Sequence, residues 1–123
     1  ERREYAIPSK GANLSIIEFT DVSSGLEAYV DKFIARWLDL SSPTTGSTVE
    51  LASKEKIVVG DLQGIEVVLN FVNSSRPQIH TYIFISTTRN TLLQFNVDYR
   101  PDAPNREQIE KDFRELVTSF KLR

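Results

Sequence analysis

The chain carries one histidine, His80, and no cysteine or methionine. A lone histidine becomes a general base only where a serine or another nucleophile and an orienting carboxylate converge on it. Serines and aspartates are present, but no G-x-S-x-G elbow is, and the stretch QIHTYIFIST places His80 inside a predicted strand. Its expected role is that of a strand histidine on a half-covered face. A zinc site needs three or four nitrogen or sulfur ligands, which one His and no Cys do not supply. Glu66, Asp98 and Asp102 lie near predicted strand ends. Their spacing brings no two of them together, and no D-x-[DN]-x-[DN]-G calcium loop occurs. They are read as solvated surface charge. No catalytic residue, metal or cofactor is assigned, and the chain is not expected to be an enzyme.

The stretch VVGDLQGIEVVLNF, residues 58–71, has two glycines four apart between apolar runs. A phosphate loop of the G-x-x-x-x-G-K-[ST] kind needs a lysine and a hydroxyl leading into a helix. Here Ile65, Glu66 and Val67 follow Gly64 and continue as a strand. A G-x-x-x-G helix contact needs a long apolar helix, which Asp61 and Gln63 interrupt. A turn between strands is what remains, with glycine supplying positive φ.

The residues best suited to contact a partner or ligand are aromatic. Trp37, the sole tryptophan, lies on the apolar stripe of the first predicted helix, as core or as an interface anchor. Tyr82 and Phe84 share a face with His80 and are either core beneath a helix or the wall of a pocket. Trp37, His80, Tyr82 and Phe84 form the candidate contact set. Asn13 and Asn73 match N-x-[ST] sequons. Asn13 falls in a predicted strand, which weakens it, and Asn73 sits at a turn, usable only in a glycosylating secretory pathway.

The elements that must position these residues follow from periodicity. YAIP and ANLSIIEFTD read as strands after a charged start. SSGLEAYVDKFIARWLDL reads as a helix with a capping box at Ser24 and Glu27 and a stripe of Leu26, Val30, Phe33, Ile34, Trp37 and Leu38. SSPTTGST breaks it. TVELASKEKIVV reads as one long strand or two short ones, followed by strands at GIEVVLNFV, QIHTYIFIST and TLLQFNVDY. Short turns between them imply an antiparallel meander. REQIEKDFRELVTSFKLR is a second helix, with a box at Asn105 and Gln108 and a stripe of Ile109, Phe113, Leu116, Val117 and Phe120. Lys121 and Arg123 suit its C-terminal dipole. Several strands are apolar on both faces, so the fold class is α+β: an antiparallel sheet flanked by helices, an α/β/α sandwich over residues 1–123 as a single domain.

The bulk numbers agree. The 123 residues are 40% hydrophobic and 26% charged, with 5 Gly and 5 Pro, as in a globular domain. Net charge is −2 and the pI about 5.4, without the basic excess that nucleic-acid binding requires. No apolar run reaches the roughly 20 residues that span a bilayer, so no membrane insertion by this segment is expected. Absence of cysteine excludes disulfides and thiolate sites here. With no methionine, any signal or anchor is expected upstream of residue 1.

The order strand, VVGDLQGIEVVLNF, strand, strand ending LLQFNVDY, then a helix ending DFRELVTSFKLR resembles the C-terminal part of the PsbP-like and DcrB-like superfamily, whose fold the nuclear Ran-release factor shares. A turn glycine before a strand of the form G-x-x-x-x-x-x-F is matched by Gly64 to Phe71. The closing helix is matched by Phe113, Ser119 and Phe120. ANLSIIEF followed by LEAYVDKF is similar to the strand–helix unit of the DcrB-like branch. The aromatic P-x-x-W start has no match before Ala12, so the first hairpin is expected to be shortened or to lie upstream. The resemblance implies an α/β/α sandwich and a non-enzymatic, protein-binding role. Its members serve photosystem assembly, Ran regulation, effector chaperoning in bacterial secretion and the cell envelope. No member's site residues carry over.

The expected function is therefore a protein-binding or assembly-factor domain, leaning to an extracytoplasmic, cell-envelope location. The alternative is a small-ligand carrier or sensor with a pocket between sheet and helix, which needs several hundred Å³ of cavity. An enzyme of an unrecognised kind is a third reading. A homodimer through a sheet edge or the first helix is possible.

Overall fold

Side chains of successive strand residues point to opposite faces, and here both sets are largely apolar, so the sheet needs a cover on each side. A computed structural model describes residues 2–9, 12–19, 25–39, 48–72, 77–88 and 91–119, with backbone only at 2–9, 12–14 and 88. Its elements are β1 (Arg2–Ser9), β2 (Ala12–Phe19), α1 (Leu26–Asp39), β3 (Thr48–Val59), β4 (Leu62–Val72), β5 (Gln78–Thr88), β6 (Thr91–Tyr99) and α2 (Arg106–Ser119). The strands form one six-stranded sheet in the order β1-β2-β6-β5-β4-β3, and every neighbouring pair is antiparallel. The meander β3 to β6 is as the short turns imply. The β1–β2 hairpin, expected to be shortened or upstream, is present: Arg2 pairs with Phe19 and Ser9 with Ala12. β2 then pairs along β6.

The helices take opposite faces. Under α1 lie Val49, Ile65, Val67, Leu69, Tyr82 and Phe84, packed against Val30 and Ile34, with Leu26, Tyr29, Phe33, Trp37 and Phe71 around them. Under α2 lie Ile16, Ile79, Ile83, Ile85, Leu93, Phe95, Val97 and Tyr99, packed against Ile109, Phe113 and Val117. Burying each such side chain contributes about 1.5–3 kcal/mol. β5 supplies buried residues alternately to both layers, and β3 and β4 add partly buried ones to the α2 side.

Local chemistry sets the ends. The first bond of α1 runs from Tyr29 N–H to Gly25 C=O at 3.1 Å, which makes Gly25, at φ 85°, the cap residue. Ser24, where the sequence put the cap, lies outside the described residues. Asn105 caps α2: its carbonyl accepts from Ile109 N–H at 3.0 Å. Phe120, Lys121 and Arg123 also lie outside the described residues. β3 is one strand of 12 residues, its register shifting between Leu51 and Ser53. That bulge moves Lys54, Lys56 and Val58 onto the α1 face.

The two glycines divide the work. Gly60, at φ 61°, makes the turn with Asp61, between the paired Val59 and Leu62. Gly64 is not in the turn but inside β4. A Cβ there would lie 2.9 Å from the Phe84 carbonyl oxygen and 3.2 Å from Ile57 Cγ1, so this position serves close strand approach.

Candidate functional site

The candidate contact residues sit together on the α1 face. Phe33 meets Tyr82 and Phe84 edge to face, with ring centroids 4.8 and 4.9 Å apart. Trp37 meets Phe71 at 5.3 Å, and Phe71 meets His80 at 4.2 Å. Phe84 is 0% and Tyr82 4% exposed, so both lie in the core beneath α1 rather than on the surface. Trp37 and His80 are the members of the set that keep partial exposure. Alternation along β5 and the helical stripe of α1 make this layer, and both were readable from the sequence.

His80 belongs to a polar strip beside that layer. Its Nε2 lies 2.9 Å from Gln78 Oε1, an acceptor, and its Nδ1 lies 2.9 Å from the Tyr82 hydroxyl. The contacts fit a neutral ring with hydrogen on Nε2, the Tyr82 hydroxyl donating to Nδ1. Burial lowers the His80 pKa below its ordinary value, against an opposing pull from Asp98, whose Oδ2 is 3.8 Å from Nε2. Burial, then Asp98, raises the Tyr82 pKa. Along β6 the Gln94 amide donates to Asn96 Oδ1 at 2.8 Å, and the Asn96 amide donates to Ser15 Oγ at 3.1 Å. Among the described residues, the contacts of His80 are Gln78, Tyr82 and Asp98 together with aromatic rings, and no serine hydroxyl is one of them.

The three carboxylates singled out in the sequence do not converge. Asp98 is on the α1 face, Glu66 faces α2, and Asp102 pairs with Arg100 at 3.2 Å in solvent. Glu66 corrects the expectation of solvated charge: it is 6% exposed. It is held by Arg114 of α2, whose Nη2 donates to Oε1 at 3.3 Å while Nη1 stands 2.8 Å from Oε2 as an ion pair, out of line for a hydrogen bond. Among the described residues no group of three or more His, Cys, Asp or Glu is placed to hold a metal. No helix among them is long and apolar enough to cross a membrane. The Asn13 side chain and Asn73 lie outside the described residues.

The feature that sequence reasoning missed is on the α2 side. A cleft of about 490 Å³ opens between α2 and the ends of β3, β4, β5 and β6. Its floor is Val68, Val72, Ile79, Val97 and Phe113, with Thr81 among them. Its rim carries Arg106, Glu110 and Arg114, beside the buried Tyr99. The Tyr99 hydroxyl donates to Glu110 Oε1, which also accepts from Arg106 Nε at 3.4 Å. The Arg106 guanidinium lies 5.8 Å from the Tyr99 ring centroid, a cation–π contact. Burial, then the Glu110 hydrogen bond, pushes the Tyr99 pKa up to about 12. The sequence held one signal for this rim: Arg106, Glu110 and Arg114 recur at four-residue intervals, a single stripe beside Ile109 and Phe113. A broader groove of about 920 Å³ lies between the first turn of α1 and the β3–β4 hairpin, with Glu27, Asp31, Lys56 and Gln63 among its lining.

No family model matches the sequence, and no curated protein is similar to it. Solved structures are. PA94 from Pseudomonas aeruginosa, a protein of unknown function, matches with a TM-score of 0.65 at 17% identity, over 100% of this chain and 83% of its own. Cyanobacterial PsbP from Synechocystis sp. PCC 6803 matches with a TM-score of 0.63 at 17% identity, over 94% of this chain and 69% of its own. LpqN of Mycobacterium tuberculosis, involved in cell envelope biogenesis, matches with a TM-score of 0.51 at 13% identity, over 89% of this chain and 58% of its own. At such identities the likeness is one of fold. The chain has the PsbP-like fold, an antiparallel sheet between two helices, as the resemblance implied.

Proposed function

We propose that this chain is a non-enzymatic protein-binding or assembly-factor domain acting at the cell envelope. One observation carries the reading: the α2 cleft joins an apolar floor to a charged rim whose neighbouring carboxylates are paired within the protein. Glu110 is engaged by Tyr99 and Arg106, and Glu66 by Arg114. An apolar floor edged by a few charged groups is the arrangement that seats and orients a bound side chain. The fold neighbours PsbP and LpqN, the latter involved in cell envelope biogenesis, are compatible with such a domain. The test is capture from an extract of the source cells by the immobilised domain. A stoichiometric protein, lost with Trp37→Ala or with Arg106→Glu while the variant keeps its circular dichroism, supports the reading and tells which face binds. Capture of nothing but background by the wild type sinks it.

The same cleft favours a second reading, a small-ligand carrier, since its volume lies within the roughly 300–1,000 Å³ of ligand pockets. Native mass spectrometry of the purified domain tests this directly. A co-purifying mass lost on Val72→Trp supports the carrier, and a bare protein mass speaks against it.

A further inference from the structure

We infer that the α2 cleft is the docking site for an acidic peptide segment of the partner, with one large apolar side chain seated on the floor and neighbouring carboxylates on Arg106 and Arg114. The inference rests on the protein-binding reading and adds the chemistry of what is bound.

The floor selects the anchor. Val68, Val72, Ile79, Val97 and Phe113 line the cleft, and an apolar side chain entering it leaves water for apolar contact. Thr81 and Asn70 are the polar residues beside these, both uncharged, so a charged anchor would find no opposite charge on the floor. The cleft opens at the strand ends, where Pro77, Gln78 and Pro101 line it, so a side chain carried on another protein's surface has access.

The rim selects the charge. Both carboxylates near the cleft are engaged: Glu110 accepts two bonds on one oxygen, and Glu66 is buried against Arg114. The guanidinium groups are not used up. Arg106 spends its Nε on Glu110, and Arg114 donates from Nη2 to one Glu66 oxygen while its Nη1 pairs with the other oxygen by charge alone; a guanidinium forks N–H donors over three nitrogens. Arg114 is 59% exposed, so its remaining donors face solvent. The N-terminus of α2, capped by Asn105, adjoins Arg106 and adds positive potential there. What this rim still offers is donors, and carboxylates answer them with charge-assisted hydrogen bonds.

The experiment is fluorescence anisotropy with labelled 12-residue synthetic peptides (about this length spans the cleft and both arginines). The lead peptide carries one Phe with two Asp in the following four residues. Counterparts replace both Asp by Lys, or the Phe by Ser. The inference expects at least tenfold weaker binding of each counterpart, and at least tenfold weaker binding of the lead to Arg106→Glu. Val72→Trp, which fills the floor, is the second variant, and thermal melts verify that both fold. Equal binding of acidic and basic peptides overturns the inference, as does full binding by both variants or no peptide binding at all. Saturable binding of decanoate in the cleft with no peptide binding also overturns it, in favour of the small-ligand carrier. A partner captured from extract and retained by Arg106→Glu and Val72→Trp overturns the inference while leaving the protein-binding reading intact.

Discussion

His80 illustrates how a single half-buried side chain couples this fold to pH. Its folded pKa is lowered, chiefly by burial, so the unfolded chain binds the proton more readily. The stability it contributes is complete above the ordinary value of 6.5 and is lost as pH falls below it. Thermal melts from pH 7.5 down to about 5.5 should show a falling midpoint, and His80→Gln should flatten that slope. A variant that retains the full slope would assign it to other groups. Gly64 offers a second residue-scale test. Its φ is ordinary, so the constraint is space: the Phe84 carbonyl is too near for a methyl group. Gly64→Ala should cost about 1–3 kcal/mol in urea unfolding. Gly60→Ala meets open space and is strained by its positive φ instead, at roughly 1–2 kcal/mol.

At the scale of elements, α2 is fixed to the sheet by an apolar stripe and by two polar ties that flank the cleft. One tie is Tyr99 to Glu110; the other is Arg114 to Glu66. Removing one partner of a fully buried pair costs about 3–5 kcal/mol, but solvent screens an arginine exposed as Arg114 is. Arg114→Ala should therefore destabilise by roughly 2 kcal/mol. Because the cost is mostly that of a stranded Glu66 carboxylate, Glu66→Gln in the same background should recover part of it. A double-mutant cycle measured by denaturant unfolding checks this, and strict additivity would refute the coupling. β3 shows the opposite concern, an outer strand open to pairing. Val58 is 73% exposed, and Lys54, tied to Asp31 at 2.6 Å, stands with Lys56 along the same edge. Charge and the bulge near Ala52 keep this edge from templating aggregation.

At the scale of the molecule, the sheet lies between two cores that β5 serves at once, Phe84 facing α1 and Ile83 and Ile85 facing α2. Disruption on one side should therefore be felt on the other. Phe84→Ala and Phe95→Ala, one in each core, should each cost about 3–5 kcal/mol. In both, Trp37 fluorescence and far-ultraviolet circular dichroism should report one shared transition. Separated transitions in Phe95→Ala would show that the α1 layer holds on its own. The sequence by itself determined the elements and their two-sidedness. Apolar residues at helical spacing in LEAYVDKFIARWLD and REQIEKDFRELV, and β-branched and aromatic residues on both faces of QIHTYIFIST, leave no packing but a covered sheet. It also placed His80, Tyr82 and Phe84 on one face, because alternation is local. The tertiary structure alone decided which strands lie side by side and therefore what meets across them. The pairing of β2 with β6, the burial of Glu66 under Arg114 and the cleft floored by Val68, Val72 and Val97 join residues dozens of positions apart. No local period encodes such distances: they follow from how far α2 reaches across the sheet, and that reach is set by packing.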